Sequence, residues 1–235
     1  MDGSSYTTLT RQSGLAHEMR VVANNIANAA TTGYRSEGMI FSEYVKAVDG
    51  GASYSMGQGN ISQTLFTQGA LTQTGNPFDL AIEGEGYFLV ETPQGVRLTR
   101  AGAFSPSAAG DLVTPDGLRV LDAGAAPIFV PPGVDVAVAR DGTLSADGTP
   151  LGQIAVVRPI DPDDMIREDG VMFRADAGFE PTEDARVMQG FVESSNVNAI
   201  NELARMIEVQ RAYELGQSFL TAEDERVRAA LKSLI

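Results

Sequence analysis

Few residues in this chain have the type and spacing for catalysis. Gly84-Glu85-Gly86 opens a G-x-G run, but Leu89 holds the third glycine position and no helical pattern follows, so the stretch reads as a β turn and not a dinucleotide cradle. Asp161, Asp163 and Asp164 in "DPDDMIREDG" are oxygen donors at calcium-loop spacing, yet Met165 occupies the third ligand position of that pattern and Pro162 interrupts it. They read as a solvated acidic loop. His17 is the one histidine and cysteine is absent, so the usual zinc and nucleophile constellations have no members. Glu83 and Glu85 would share one face of a strand, and a glycosidase-type carboxylate pair stays open there on sequence alone. The reading taken is no enzyme, no cofactor and no metal.

The elements that would position any site divide the chain into zones. Of 235 residues, 43% are apolar, with 25 Gly and 11 Pro, enough for a sizeable core. The start lacks a basic-then-apolar leader, and no apolar run approaches the roughly 20 residues of a membrane span, so neither a cleaved signal nor an anchor is expected. The net charge of −14 argues against nucleic acid as a partner. Residues 1–48 carry four basic and four acidic side chains and residues 194–235 five and six, which leaves −13 in residues 49–193. Near-neutral ends suit packing in a crowd, and an acidic middle suits solvent.

Periodicity divides the chain at the same places. Residues 4–30 place Leu9, Ala16, Met19, Val22, Ala23 and Ile26 at helical spacing, predicting a helix of roughly 27 residues, about 40 Å long. Residues 35–77 are rich in Gly, Ser, Gln and Thr and read as an extended, irregular connector. Residues 78–193 show short β-rich runs (79–82, 87–91, 128–130, 135–139 and 152–157) separated by the turn signals Pro115-Asp116-Gly117, Asp141-Gly142 and Asp147-Gly148. The helical period returns after Ser194. Leu203, Met206, Gln210, Tyr213, Gln217, Leu220, Asp224, Val227, Leu231 and Leu234 then alternate at spacings of three and four, a heptad seam, while Ile200 and Ile207 add a second apolar edge. Gln210, Gln217 and Asp224 either mark a shifted stripe or set register and partner number. The fold class is therefore α+β: long N- and C-terminal helices (1–34 with 194–235) pairing as a coiled-coil stem, and a central all-β domain of many short strands. A two-helix stem leaves more apolar edge than one partner covers, so stems of many copies are expected to pack side by side as a ring or an open helical tube; a simple intramolecular hairpin is the alternative.

The stretch "NNIANAATTGY" sits at the end of the first helix. Three asparagines in five residues lower helix propensity, a local cost that a wider arrangement should offset. Asn24, Asn25 and Asn28 are expected to bond adjacent subunits, and Gly33 to supply the left-handed residue that closes the helix.

"NNIANAATTGYRS" and "MQGFVESSNVNAINELARMIEVQRAYE" resemble the two terminal signatures of the bacterial flagellar axial proteins of the rod and hook. "PFDLAIEGEGYFLV" followed by "RLTRAGAFSPSAAGDLVTPDGLRVL" is similar to the core of that family's β domain, and the "MDGSSYTTLTRQ" opening with its short connection looks most like the proximal rod branch. Distal rod and hook proteins are the alternatives. A non-flagellar β binding module on a helical stalk is a remote one, since it would need a secretion signal or an anchor. The resemblance implies a structural subunit without catalytic activity, exported without a cleaved signal through the flagellar type III apparatus into the periplasm. There it would assemble with copies of itself and other rod proteins into a hollow shaft, with terminal helices inside and β domains outside. Asn196 and Asn198 of the second signature would join the helical residues at the subunit interface.

Overall fold

The computed structural model describes residues 3–46, 54–182 and 184–232; side chains are described outside residues 3–6 and 41–62. Leu234 of the expected seam lies outside the described residues. The chain forms two compact units, Met1–Ala29 with Ser36–Phe66 and Val197–Ile235, and Ala30–Arg35 with Thr67–Asn196.

The first unit holds α1 (Gly3–Ala27), α2 (Ala199–Lys232) and a hairpin of β1 (Glu37–Lys46) and β2 (Tyr54–Thr64). The hairpin corrects the expectation of irregular chain at 35–77. Its strands pair antiparallel over their whole length, with one register shift at Ile40/Phe41, and α1 lies against both strands. Gly-rich composition hid the pairing, because a strand whose partner supplies the backbone bonds needs no strong apolar alternation.

α1 turns Gln12, Leu15, Glu18, Val22 and Asn25 to its buried side at spacings of three and four. It stops when the Asn28 N–H is shared between the Asn24 and Asn25 carbonyls at 3.1 and 3.2 Å. α2 starts at Asn198, whose Oδ1 accepts from the Ile200 and Asn201 N–H groups at 3.1 and 3.2 Å, an N-cap. The two helices run antiparallel: Gln12 Nε2 donates to the Tyr213 carbonyl at 2.8 Å, and Glu18 accepts from Arg205 at 2.5 to 2.6 Å. Gly216 makes the approach close, since a Cβ there would lie 2.0 Å from Gln12 Nε2.

The seam of α2 corrects the expected register by one residue on one of its two rows. Met206, Tyr213 and Leu220 are half-buried as expected, but the companion row is Val209, Gly216 and Glu223, and Val209 is 3% exposed. Gln210, Gln217 and Asp224 stand one residue further round, in the open. Gln217 Nε2 donates to the Tyr213 hydroxyl at 3.1 Å on its own helix.

The second unit is all β, as the turn signals predict. Its strands are β3 (Leu71–Gln73), β4 (Leu80–Glu83), β5 (Tyr87–Thr92), β6 (Gly95–Thr99), β7 (Ser105–Pro106), β8 (Leu112–Val113), β9 (Arg119–Val120), β10 (Val136–Val138), β11 (Thr143–Ala146), β12 (Thr149–Gln153), β13 (Val156–Pro159), β14 (Met165–Asp169), β15 (Met172–Ala175), β16 (Phe179–Pro181), β17 (Arg186–Gln189) and β18 (Phe191–Glu193). The main sheet runs β14-β15-β6-β5-β9-β8-β7, with β13 bridging β5 and β16; β10-β11-β12, β17-β4 and β18-β3 complete the unit. Two apolar clusters fill it, one around Leu80, Phe88, Phe104, Leu112 and Ile154, the other around Tyr87, Leu89, Leu98 and Phe173. The 128–130 run makes only isolated bridges at Pro127 and Phe129, and 152–157 is split between β12 and β13. Asp147-Gly148 turns with both φ angles positive, 49° and 79°.

Candidate functional site

No side-chain constellation of the catalytic kind forms at the positions raised by the sequence. Glu85 lies in the turn after β4, not on a strand with Glu83, and both are exposed. Asp161 caps a short 3-10 turn by accepting from the Asp163 N–H at 3.0 Å, and Asp164 accepts from the Ala177 N–H at 2.7 Å. These carboxylates hold loops.

The surface that invites a partner is helical. On α2, Ile200 is 79% exposed and Leu215 71%, and Leu203, Ile207, Phe219, Val227 and Leu231 are also exposed. Beyond Glu223 every described residue of α2 is exposed. On α1, Leu9, Ala23 and Asn24 are exposed, whereas Ala16, Met19 and Ile26 are half-buried.

The asparagines expected to bond adjacent subunits make bonds within the chain. Asn25 is 1% exposed; its Nδ2 donates to the Glu37 carbonyl at 2.8 Å and its Oδ1 accepts from the Glu37 N–H at 2.9 Å. Asn28 Nδ2 donates to the Asn24 carbonyl at 2.9 Å and Asn24 Oδ1 at 3.1 Å. Asn196 Nδ2 donates to the Thr67 carbonyl at 2.9 Å, and Asn198 is the cap of α2.

Within the β unit, the residues that follow "NNIANAAT" are fastened one after another. Gly33 has φ +71°, as predicted, but it stands six residues past the end of α1 and does not close it. Its N–H donates to the Glu193 carbonyl at 2.7 Å, and a Cβ would lie 2.3 Å from the Ala101 nitrogen. The Tyr34 ring carries the Arg167 guanidinium at 4.7 Å, and Phe173 flanks the same guanidinium at 4.8 Å. Arg35 forms an ion pair with Glu193 at 2.7 Å, both side chains 1% exposed, and also donates to the Thr67 carbonyl. Arg100 reaches the other Glu193 oxygen at 3.2 Å and the Gly84 carbonyl at 2.6 Å. Gly69 N–H donates to Glu193 at 3.1 Å. Burial pulls the Arg100 guanidinium below its ordinary range against the opposing pull of Glu193, and burial pushes the neighbouring Tyr87 phenol up against Arg100.

Sequence reasoning missed this cluster because it treated charge as solvated. The signal was available: "TTGYRS", "RLTRAG" and "GFVESS" each contribute one member, and each lies in or beside a distinctive motif.

The family models match in the same order. "Flagella basal body rod protein" matches residues 6–35, "Flagellar hook protein FlgE/F/G D1 domain" residues 81–146, and "Flagellar basal body rod FlgEFG protein C-terminal" residues 188–233. The chain is 36% identical over 241 residues to a flagellar basal-body rod protein FlgF of Caulobacter vibrioides, covering 100% of this chain and 98% of that one. It belongs to the FlgF-like flagellar basal-body rod protein family. A FlgF of Mesorhizobium japonicum is also 36% identical, over 240 residues, covering 100% of this chain and 98% of that protein. A FlgG of Agrobacterium fabrum is 32% identical over 254 residues, covering 92% and 93%. The rod protein is thus a structural component of the flagellar basal body. Among the described residues, no helix is long and apolar enough to cross a membrane.

Proposed function

We propose that this rod protein polymerises through its terminal helices as part of the proximal section of a hollow drive shaft, with helices toward the inside and β units toward the outside. The observation that carries this reading is the set of exposed apolar side chains along α2, from Ile200 through Leu231, which a lone helix pair leaves in water. Apolar surface costs about 25 cal/mol per Å² when hydrated, so several large side chains on one helix form a strong drive toward packing. Leu9 and these exposed side chains of α2 are then the subunit interface, and copies of the same chain and other rod proteins are the partners. The shaft stands in the periplasm, reached through the flagellar type III export apparatus without cleavage of a leader.

Deletion of the gene tests this reading, with basal bodies isolated from the deletion strain. The expected result is a non-motile strain whose basal bodies end before the distal rod, restored by the plasmid-borne chain. A deletion strain that swims and builds complete rods would overturn it.

A further inference from the structure

The chain passes between its two units after Ala29, Arg35, Phe66 and Asn196. Within the second unit, the segments next to these passages are 30–35, 67–70 and 193–196, and one buried carboxylate serves all three. The Glu193 carbonyl accepts from the Gly33 N–H at 2.7 Å, while its Oε1 pairs with Arg35 at 2.7 Å and accepts from the Gly69 N–H at 3.1 Å. Arg100 holds the other carboxylate oxygen at 3.2 Å.

The segments are also tied to one another directly. Ser194 N–H donates to the Ala70 carbonyl at 2.8 Å and Asn196 N–H to the Tyr34 carbonyl at 3.3 Å. The Thr67 carbonyl accepts both from Asn196 Nδ2 at 2.9 Å and from Arg35. Each pair of segments is therefore bonded. Their backbones leave no slack either: a Cβ at Gly69 would lie 1.9 Å from the Ser194 carbonyl oxygen. Arg35 and Glu193 are each 1% exposed, so parting any one segment strands buried charge that belongs to the others.

We infer that 30–35, 67–70 and 193–196 form a latch centred on Glu193 that opens and closes as one body, so that no single passage of the chain between the units works loose by itself. Buried polar networks couple their members in this way, and coupled members open as a cooperative unit. In a shaft, which is the assembly reading above, a pull on one passage is then shared by all of them. The latch itself is a property of the single chain and holds without that reading.

Four amides report on the latch: Gly33, Gly69, Ser194 and Asn196. Their hydrogen exchange is followed residue by residue in the purified full chain, with the paired amides of β5 and β6 as the reference. Arg35→Met removes a side chain that bonds to neither the Gly69 nor the Ser194 amide, and Asn196→Ala cuts the milder tie to Thr67. Arg35→Met should speed exchange at least tenfold, and Asn196→Ala at least threefold, at the reporters of all three segments, with β5 and β6 changed less than twofold. Faster exchange confined to the substituted segment would show independent ties and overturn the latch. An equal rise in β5 and β6 would show a general loss of stability and overturn it as well. If Arg35→Met does not fold, Asn196→Ala decides by the same criteria. Unmodified chain missing from isolated basal bodies would refute the assembly reading alone, so the two failures are distinct.

Discussion

Asn25 holds Glu37 by both ends of its amide in a buried place, so its loss strands a backbone N–H and a carbonyl together. Asn25→Ala should destabilise the monomer by about 2 to 3 kcal/mol, as expected for two orphaned buried groups. Asn28→Ala, on the more open side of the same turn, should stay within about 0.5 kcal/mol. Urea unfolding of the two variants checks this, and equal effects would show that Asn25 is not a clamp. Glu193→Gln leaves Arg35 and Arg100 buried without their shared carboxylate, and should cost about 3 to 5 kcal/mol. Gly33→Val combines a positive φ with a collision against the Ala101 backbone, so its cost should exceed the roughly 1 to 3 kcal/mol of a strained φ alone. The residue types at Gly33 and in the asparagine run announced that the stretch is special. What they bond to was not legible, because a buried ion triad joins residues up to 158 positions apart and leaves no local period.

At the scale of elements, the pairing of α1 and α2 rests on Val209, the one residue of α2 buried among those described. Val209→Asp should cost on the order of 3 kcal/mol and release α2, seen as faster amide exchange along Ala199–Lys232. Gln210→Leu with Gln217→Leu should leave monomer stability within about 0.5 kcal/mol, since both side chains stand outside the seam. A gain above about 1 kcal/mol would return them to it. Both helices and the β character of the middle were legible from periodicity and turn signals. The seam register was not: the rows 203/210/217 and 209/216/223 differ by one residue at one point of the heptad, and Gly216 and Glu223 carry no apolar signal. β1 and β2 were hidden for a related reason, their Gly, Ser and Gln content. The ion-paired strands β6, β14 and β15 add a pH dependence. Arg97 first and Arg174 next hold the Glu168 carboxyl below its ordinary range. A depressed carboxyl contributes stability at neutral pH that is lost as pH falls through and below the ordinary carboxylate range. Glu168→Gln should therefore flatten the acid limb of the stability curve, which unfolding at stepped pH reads directly.

For the whole molecule, the charge distribution and the exposed edge of α2 point the same way. The near-neutral ends carry the helices with open apolar side chains, and −12 of the net −13 of residues 49–193 falls on residues 67–193, the β unit. Helix ends built to crowd together and an acidic middle fit a shaft whose subunits touch through their termini. Family membership supplies the machine, and in the proposed assembly the open helix faces supply the physical reason for joining it. The most direct measurement is cryo-electron microscopy of basal bodies purified from the parent bacterium, with this chain's side chains fitted into the rod density. The account predicts successive copies in the proximal rod, α1 and α2 packed helix against helix around the channel and Ile200, Leu203 and Ile207 covered. A rod built without this chain, or one in which its α2 aliphatic row stays open to solvent, would contradict it.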